Sequence, residues 1–364
     1  MKKTLAICSP NKNAYSETFI QAHKNLPFAI KYYYDGLLPT KLEGTNNLFE
    51  FTLAEKIKIR TNKYFSLSEH ALANSFKREK VDCVLAEYGL TGTAVLKVAE
   101  QLKLPMVVYF FGYDASVKEV VEKYAEGYKK VFAYASAVMV VSKKMKDDLI
   151  ALGCPAAKLV VSACGPNPAF FENKPLYNKQ QFIAVGRFVE KKAPYLTILS
   201  FKKVVENFPA AKLVMVGDGD LLWICKKLVD ALKLCDNIEF RGVLTPVEIK
   251  LLFEESIAFV QHSIIADDGD AEGVPVAILD AQAAALPVIS TFHSGIPEIV
   301  IHNETGLLSE EREIAGMADN MIRVLKEVGL AKMMGGAGKQ RVKEHFTMEK
   351  HLADLEMAIE NAIA

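Results

Sequence analysis

The chain has 364 residues, 51% of them hydrophobic and 24% charged, with a formal net charge of zero. That length points to two domains of ordinary size, and that balance excludes wholesale disorder. The charge is nevertheless uneven: residues 1–168 hold 23 basic and 16 acidic side chains, a net of +7, which leaves a net of −7 for the remainder.

In chain order, short β-rich apolar runs alternate with helical patterns. Strands are predicted at 4–9, 28–34, 82–87, 105–111, 137–142 and 158–163, with helices near 17–24, 92–102, 116–131 and 143–152 between them. Near-continuous apolar strands alternating with helices imply a parallel sheet covered on both faces. The stretch "GPNPAFFENKPLYNKQ" (165–180) carries three prolines and breaks the rhythm, so the domain linker is placed there. The alternation restarts with strands at 181–186, 211–217, 237–242, 257–262 and 286–291, and helices near 194–207, 219–234 and 246–255. Helices dominate from 312 onwards. The chain therefore reads as an α/β protein of two doubly wound, Rossmann-like domains, with ligands expected at the carboxyl ends of strands and in a cleft between the domains. The expected boundaries are 1–168, 169–347 and a C-terminal helix, 348–364, that packs back toward the first domain.

The six cysteines form no C-x-x-C pair and read as reduced core residues. "MKKTLAIC" is too short in its apolar part for a signal peptide, and "VFAYASAVMVV" (131–141) falls short of the roughly 20 residues of a membrane span. The basic first half suits an anionic contact, and the Lys-rich faces at 122–130, 142–148 and 76–80 are either solvated helix surface or a dock for anionic lipid. No basic stripe is interleaved with aromatics, which argues against nucleic acid. His262, His293 and His302 lack metal-ligand spacing and read as structural or solvated.

Four segments carry the chemistry. In "DGDAEGVPVAILDAQAAALPV" (268–288), Asp280 and Gln282 are the only polar side chains between Val276 and Leu286, and Glu272 stands eight residues before Asp280 in a Gly-Pro turn. Gly273 permits close approach of a ligand, and Pro275 suits a first helical turn. A carboxylate on a buried helix needs donors, which sugar or ribose hydroxyls would supply; a surface Asp, or one paired to a nearby Arg or Lys, is the alternative. In "AVGRFVEKKAP" (184–194) a strand ends at Gly186 and presents Arg187 and Lys192, a pair suited to a departing diphosphate, though a solvated charged loop would look the same. "VMVGDGDL" (214–221) turns through Gly217, and "IEFRGVL" (238–244) ends at Gly242 and Val243, near which a base would lie; each is weak by itself.

Together and in this order, with "HSGIPEIV" and "NETGLL" following, these segments resemble the second domain of a retaining, GT-B-type glycosyltransferase of family four (glycosyltransferases group 1). "YSETFIQAH" (15–23), "AEYGLTGTAVLKVAEQLKLPMVVYFFGYDAS" (86–116) and "VSKKMKDDLIALGCPAAKLVVSACGPN" (141–167) resemble the branch that builds exopolysaccharide and other cell-surface glycans. The resemblance implies that Arg187 and Lys192 neutralise the leaving diphosphate, with Glu272 beside the donor sugar and Asp280 on the nucleotide ribose. Gly186, Gly217, Gly242, Val243, Gly273, Val274 and Pro275 would complete the donor site. On the acceptor side it implies Ser16, Glu17, Thr18, Glu87, Phe111 and Asp114, although residues 16–18 also suit a helix start and Asp114 a helix cap. It further implies retention of anomeric configuration, a UDP- or GDP-linked sugar as donor substrate, and no cofactor or metal.

Three departures stand out. Asp280 replaces a glutamate, "AEYG" and "FFGYD" lack the histidines that relatives often have there, and "CGPN" stands where "NGVD" is usual. The expected protein is a cytoplasmic hexosyltransferase, at most peripheral at the inner face of the membrane. It would act on a growing surface-glycan or lipid-linked acceptor. The alternative, motivated by the missing histidines, is a catalytically inactive scaffold or regulatory partner.

Overall fold

The computed structural model describes residues 2–13, 17–45, 48–49, 51–53, 55–56, 59 and 65–364. The chain divides into two compact units, one of Met1–Ala163 with His351–Ala364 and one of Cys164–Lys350. The sequence suggests changes after 168 and 347; the units change after Ala163 and Lys350. The two chain crossings run tightly side by side: a Cβ on Gly165 would stand 2.2 Å from the Met348 nitrogen.

The first unit holds strands β1 (Thr4–Cys8), β2 (Ala29–Tyr34), β3 (Lys41–Leu42), β4 (Cys83–Glu87), β5 (Met106–Phe110), β6 (Ala137–Val140) and β7 (Leu159–Val161). Their order is β3-β2-β1-β4-β5-β6-β7, with every pairing parallel except β2 with β3. All five residues of β4 and of β5 are buried, as a sheet covered on both faces requires. The chain winds outward from β1 in one direction and returns to β4 on its other side, so the switch point lies between β1 and β4. The strand β3 and the helix Leu67–Arg78 were not legible in sequence, although Ser66 and Glu69 form a reciprocal capping box at that helix start.

The second unit holds β8 (Gln181–Val185), β9 (Lys212–Val216), β10 (Ile238–Gly242), β11 (Ala258–Val260), β12 (Val288–Thr291) and β13 (Gly306–Ser309), all parallel, in the order β10-β9-β8-β11-β12-β13. Successive side chains serve opposite faces. Phe182, Leu213 and Met215 pack in one core with Phe201 and Met321, whereas Ile183, Val214 and Val216 pack in the other with Ile278 and Leu279. The eight-residue helix Val276–Ala283 is thus covered on several sides. The expected linker does not form a free tether: Asn167 caps a 3₁₀ turn, Pro168–Glu172, and Phe170 stacks in a tilted pair 5.2 Å from Phe253 in the core. The helix expected from 219 begins at Leu222, because the Gly217-Asp218-Gly219 turn comes first. Among the described residues, no helix is long and apolar enough to cross a membrane.

Candidate active site

The second unit has its switch point between β8 and β11, where doubly wound sheets bind ligands beyond the strands' carboxyl ends. Two glycines shape that edge. Gly217 has φ +134°, and a Cβ there would meet the Gly186 carbonyl oxygen at 2.0 Å; Gly219 has φ +150°, and its Cβ would meet the Phe188 oxygen at 2.6 Å. The loop after β8 therefore lies flat on the loop after β9, tied by Phe188 N–H to the Asp218 carbonyl at 2.9 Å. Gly217 N–H in turn donates to the Gly242 carbonyl at 2.7 Å, which brings the ends of β8, β9 and β10 together. A concavity opens here, lined among others by Gly186, Arg187, Lys192, Thr197, Val216 and Gln261. Arg187 is exposed, and Val243 is exposed beyond the end of β10.

After Arg187 the chain makes a 3₁₀ turn, Glu190–Lys192, and enters the helix Pro194–Asn207 through Ala193 at φ +34°. This turn aims two lysines at the acidic loop before Val276. Lys192 Nζ lies 2.8 Å from Glu272 Oε1 and 3.4 Å from Gln261 Oε1. Lys191, which is buried and was missed in sequence, lies 2.9 Å from Asp270. Burial would push the Glu272 carboxyl up, but the charges of Lys192 and Lys191 outweigh it and hold the group at about 2. Glu272 is therefore ionised at neutral pH. Its own N–H donates to His293 Nε2 at 3.0 Å, and His293 Nδ1 stands 2.6 Å from Glu311 Oε1. His293, two residues past β12, is structural rather than solvated: it is buried and orients the loop that carries Glu272. His262 is likewise buried and accepts from the Arg312 N–H at 2.8 Å.

Asp280 is the fifth residue of the helix Val276–Ala283, half-buried, and its Oδ1 accepts the Asn167 N–H at 2.9 Å. One donor from the protein is thus already in place. Burial dominates over that single amide and raises the carboxyl to about 7. Gly273, Val274 and Pro275 form the segment leading into this helix, with Gly273 and Pro275 buried.

In the first unit, Ser16 lies outside the described residues. Glu17 precedes the helix Thr18–Ala22 without capping it, since the cap position makes no side-chain bond. Its carboxylate instead accepts from the Tyr88 hydroxyl at 2.9 Å and from Asn11 Nδ2 at 3.1 Å. Phe111 is half-buried, with its ring 4.7 Å from Phe19 and 5.1 Å from Tyr88. Two acceptor-side expectations take a different place. Asp114 is fully buried and accepts backbone N–H groups from Gly89, Phe111 and Gly112 at 2.9, 3.1 and 3.0 Å, so both of its oxygens are used inside the fold. Glu87 is also fully buried, 2.7 Å from His23 Nδ1. Both are fully buried, Glu87 as the last residue of β4 and Asp114 four residues beyond β5.

A family profile described as "Glycosyl transferases group 1" matches residues 167–341, and one described as "Glycosyltransferase Family 4" matches residues 43–170. The amylovoran biosynthesis glycosyltransferase AmsK of Erwinia amylovora is 30% identical over 76% of this chain and 69% of its own length. The putative colanic acid biosynthesis glycosyltransferase WcaL of Escherichia coli is 29% identical over 66% of this chain and 61% of its own length. Among solved structures, Anabaena HepE in complex with UDP-glucose superposes with a TM-score of 0.80 at 14% identity, covering 98% of this chain and 99% of that one. Sucrose-phosphate synthase of Thermosynechococcus elongatus gives 0.75 at 16% identity over 98% of each chain. With two Rossmann-like units of this topology and these relatives, the chain belongs to the group 1 glycosyltransferases of family four and has the GT-B fold.

Proposed function

We propose that this glycosyltransferase moves a hexose-type sugar, with retention of configuration, from a nucleotide-diphosphate sugar to a growing surface-glycan or lipid-linked acceptor. The observation that carries the reading is the Lys192–Glu272 pair at 2.8 Å at the β8 edge, with the exposed Arg187 lining the same concavity. When the bond from the sugar to the diphosphate breaks, negative charge collects on the leaving oxygens. Arg187 and Lys192 stabilise that charge where it develops, and this preorganised effect works without a metal. Glu272, held ionised, keeps Lys192 oriented before the donor arrives and faces the sugar hydroxyls once it binds. Asp280 serves the ribose, and the Gly242–Val243 backbone serves the base.

The relatives' names support a nucleotide-sugar donor: HepE is described in complex with UDP and with UDP-glucose, and a Mycobacterium tuberculosis relative is named as GDP-mannose-dependent. The names of AmsK and WcaL support exopolysaccharide synthesis as the setting. The net of +7 over residues 1–168 supports docking at an anionic membrane face, which binding to acidic liposomes at low salt would test.

The deciding experiment is calorimetric titration of UDP, GDP, ADP and CDP into the protein and into Arg187→Ala. Selective binding of one nucleotide, weakened by the substitution, is expected. Binding of none would overturn the donor site. Binding without turnover on any acceptor would leave a nucleotide-binding scaffold instead.

A further inference from the structure

The first unit contains a buried chain of three ionisable side chains that the donor chemistry does not use. His351, in the helix Met348–Ile363, places Nε2 2.8 Å from His23 Nε2, and His23 Nδ1 lies 2.7 Å from Glu87 Oε1. His23 and Glu87 are fully buried and His351 is 1% exposed. At its far end His351 Nδ1 stands 3.2 Å from the Ser162 hydroxyl and 3.5 Å from the Tyr109 hydroxyl, and Tyr109 itself donates to the Ser162 carbonyl. Burying such groups costs stability that apolar side chains of similar size would not, so their value lies in fixing a geometry.

The geometry in question is at the β1/β4 switch point. His23 follows the helix Thr18–Ala22, and Glu17 precedes it; Glu87 ends β4, and Tyr88 comes next. The two segments are therefore joined twice, by His23 to Glu87 in the interior and by Glu17 to Tyr88 nearer the surface, at 2.9 Å. Tyr88 holds φ +75° and ψ 143°, a conformation that non-glycine residues keep only where their surroundings dictate it. Its ring is fixed against Phe111 and Tyr113, at 5.1 and 5.3 Å.

We propose that His351 and His23 are positioning residues for the acceptor side: the buried His351–His23–Glu87 chain locks the Thr18–Ala22 helix to the end of β4 and so sets the place of the Glu17 carboxylate and the Tyr88 ring. This rests on the reading that the first unit takes the glycan acceptor. The Nε2–Nε2 contact needs one hydrogen between the two rings. A carboxylate at Glu87 requires the Nδ1 hydrogen on His23. A second hydrogen between the rings would set two N–H groups face to face and open the chain. The groups facing it are Cys8 and Tyr32 beside Glu87, and Tyr109 and Ser162 beside His351.

The test compares the full chain with His351→Ala and His351→Gln, whose amide N–H can still donate to His23 Nε2. Amide hydrogen exchange is followed across the first unit, histidine ring ¹⁵N shifts are recorded from pH 5 to 8, and binding of octyl glucoside and octyl mannoside and of the nucleotide is titrated. In His351→Ala, exchange at 17–23 and 87–89 should quicken about tenfold or more while the remaining strands and nucleotide affinity hold. His351→Gln should recover most of that protection, and glycoside affinity should fall in step. Unchanged protection at 17–23 in His351→Ala, or equal loss across the whole sheet, overturns the proposal. If His351→Ala does not fold, His351→Gln and His351→Asn carry the comparison, and local loss in neither overturns it. If the octyl glycosides do not bind the unaltered protein, the acceptor reading falls and the proposal with it; exchange then reports only a structural lock.

Discussion

Lys192 Nζ stands 2.8 Å from Glu272 Oε1 across two loops that are 80 positions apart in the chain. The pair joins the cation expected to hold the diphosphate to the carboxylate expected to face the sugar. Removing the lysine should therefore harm both functions. Lys192→Ala and Arg187→Ala are each expected to lower transfer about a hundredfold, as losing one preorganised charge does. Steady-state rates with the nucleotide sugar identified by calorimetry check this, and near-normal transfer in both variants would refute it.

The same pair makes stability depend on pH in acid. Glu272 is depressed from 4.5 to about 2. Its contribution is present above the ordinary carboxyl value and is lost as pH falls through about 2. For this nearly buried group the loss amounts to roughly 3 kcal/mol. Denaturant unfolding between pH 2 and 5 should show a slope in the unaltered protein that Glu272→Gln lacks.

Asp280 should behave in the opposite way. It is raised from 3.8 to about 7, so the folded state holds its proton where the unfolded chain has lost it. Stability from this group is full below the ordinary carboxyl value and disappears as pH rises through about 7. Asp280→Asn, which keeps an oxygen for the Asn167 N–H, should match the parent at pH 4 and melt roughly 8–16 °C higher at pH 8, the shift that ~4 kcal/mol produces in a unit of this size. Nucleotide affinity should fall in the variant at pH 8, because ribose hydroxyls lose a charged acceptor. Thermal melts and calorimetry at both pH values read the two effects separately.

Gly217 and Gly242 offer a contrast between two left-handed positions. A Cβ on Gly217 would meet the Gly186 oxygen at 2.0 Å, whereas nothing lies within 4 Å of one on Gly242, at φ +65°. Gly242→Ala should cost about 1–2 kcal/mol, the left-handed penalty alone. Gly217→Ala must also part the β8 and β9 loops, and should cost more and abolish nucleotide binding. Thermal unfolding with nucleotide titration of both variants gives the comparison.

Asp114 should prove structural. Its two oxygens satisfy three N–H groups, two of them in buried bonds. Asp114→Ala is expected to destabilise by about 3 kcal/mol or more, since each orphaned buried donor costs ~1–3 kcal/mol. A variant that unfolds at the parent temperature while losing transfer would instead return Asp114 to the acceptor side.

Much of the fold was legible because buried parallel strands write themselves as apolar runs. "MVVYF" and "CVLAE" are strands in any reading, and Pro194 and Pro246 mark helix starts. The helix Leu67–Arg78 was not, because nothing around it forms a repeating apolar pattern, and only the Ser66–Glu69 box announces it. On the site, Arg187 and Lys192 stood out as charges after a strand end, and Glu272 as an acid in the turn eight residues before Asp280. Lys191 did not, since adjacent lysines look alike until one of them points inward to Asp270.

By itself the sequence determined the α/β architecture and its two Rossmann-like halves, because periodicity and turn glycines are local properties. Tertiary structure alone decided who pairs with whom. His23, Glu87 and His351 are 64 and 328 positions apart along their two contacts, and no local pattern links them. Glu272 and Asp280 sit eight residues apart with the same charge in sequence, yet one is driven to about 2 and the other to about 7. The first meets two lysines brought from another loop, and the second meets a single amide; the field at each carboxylate comes from neighbours that only folding supplies.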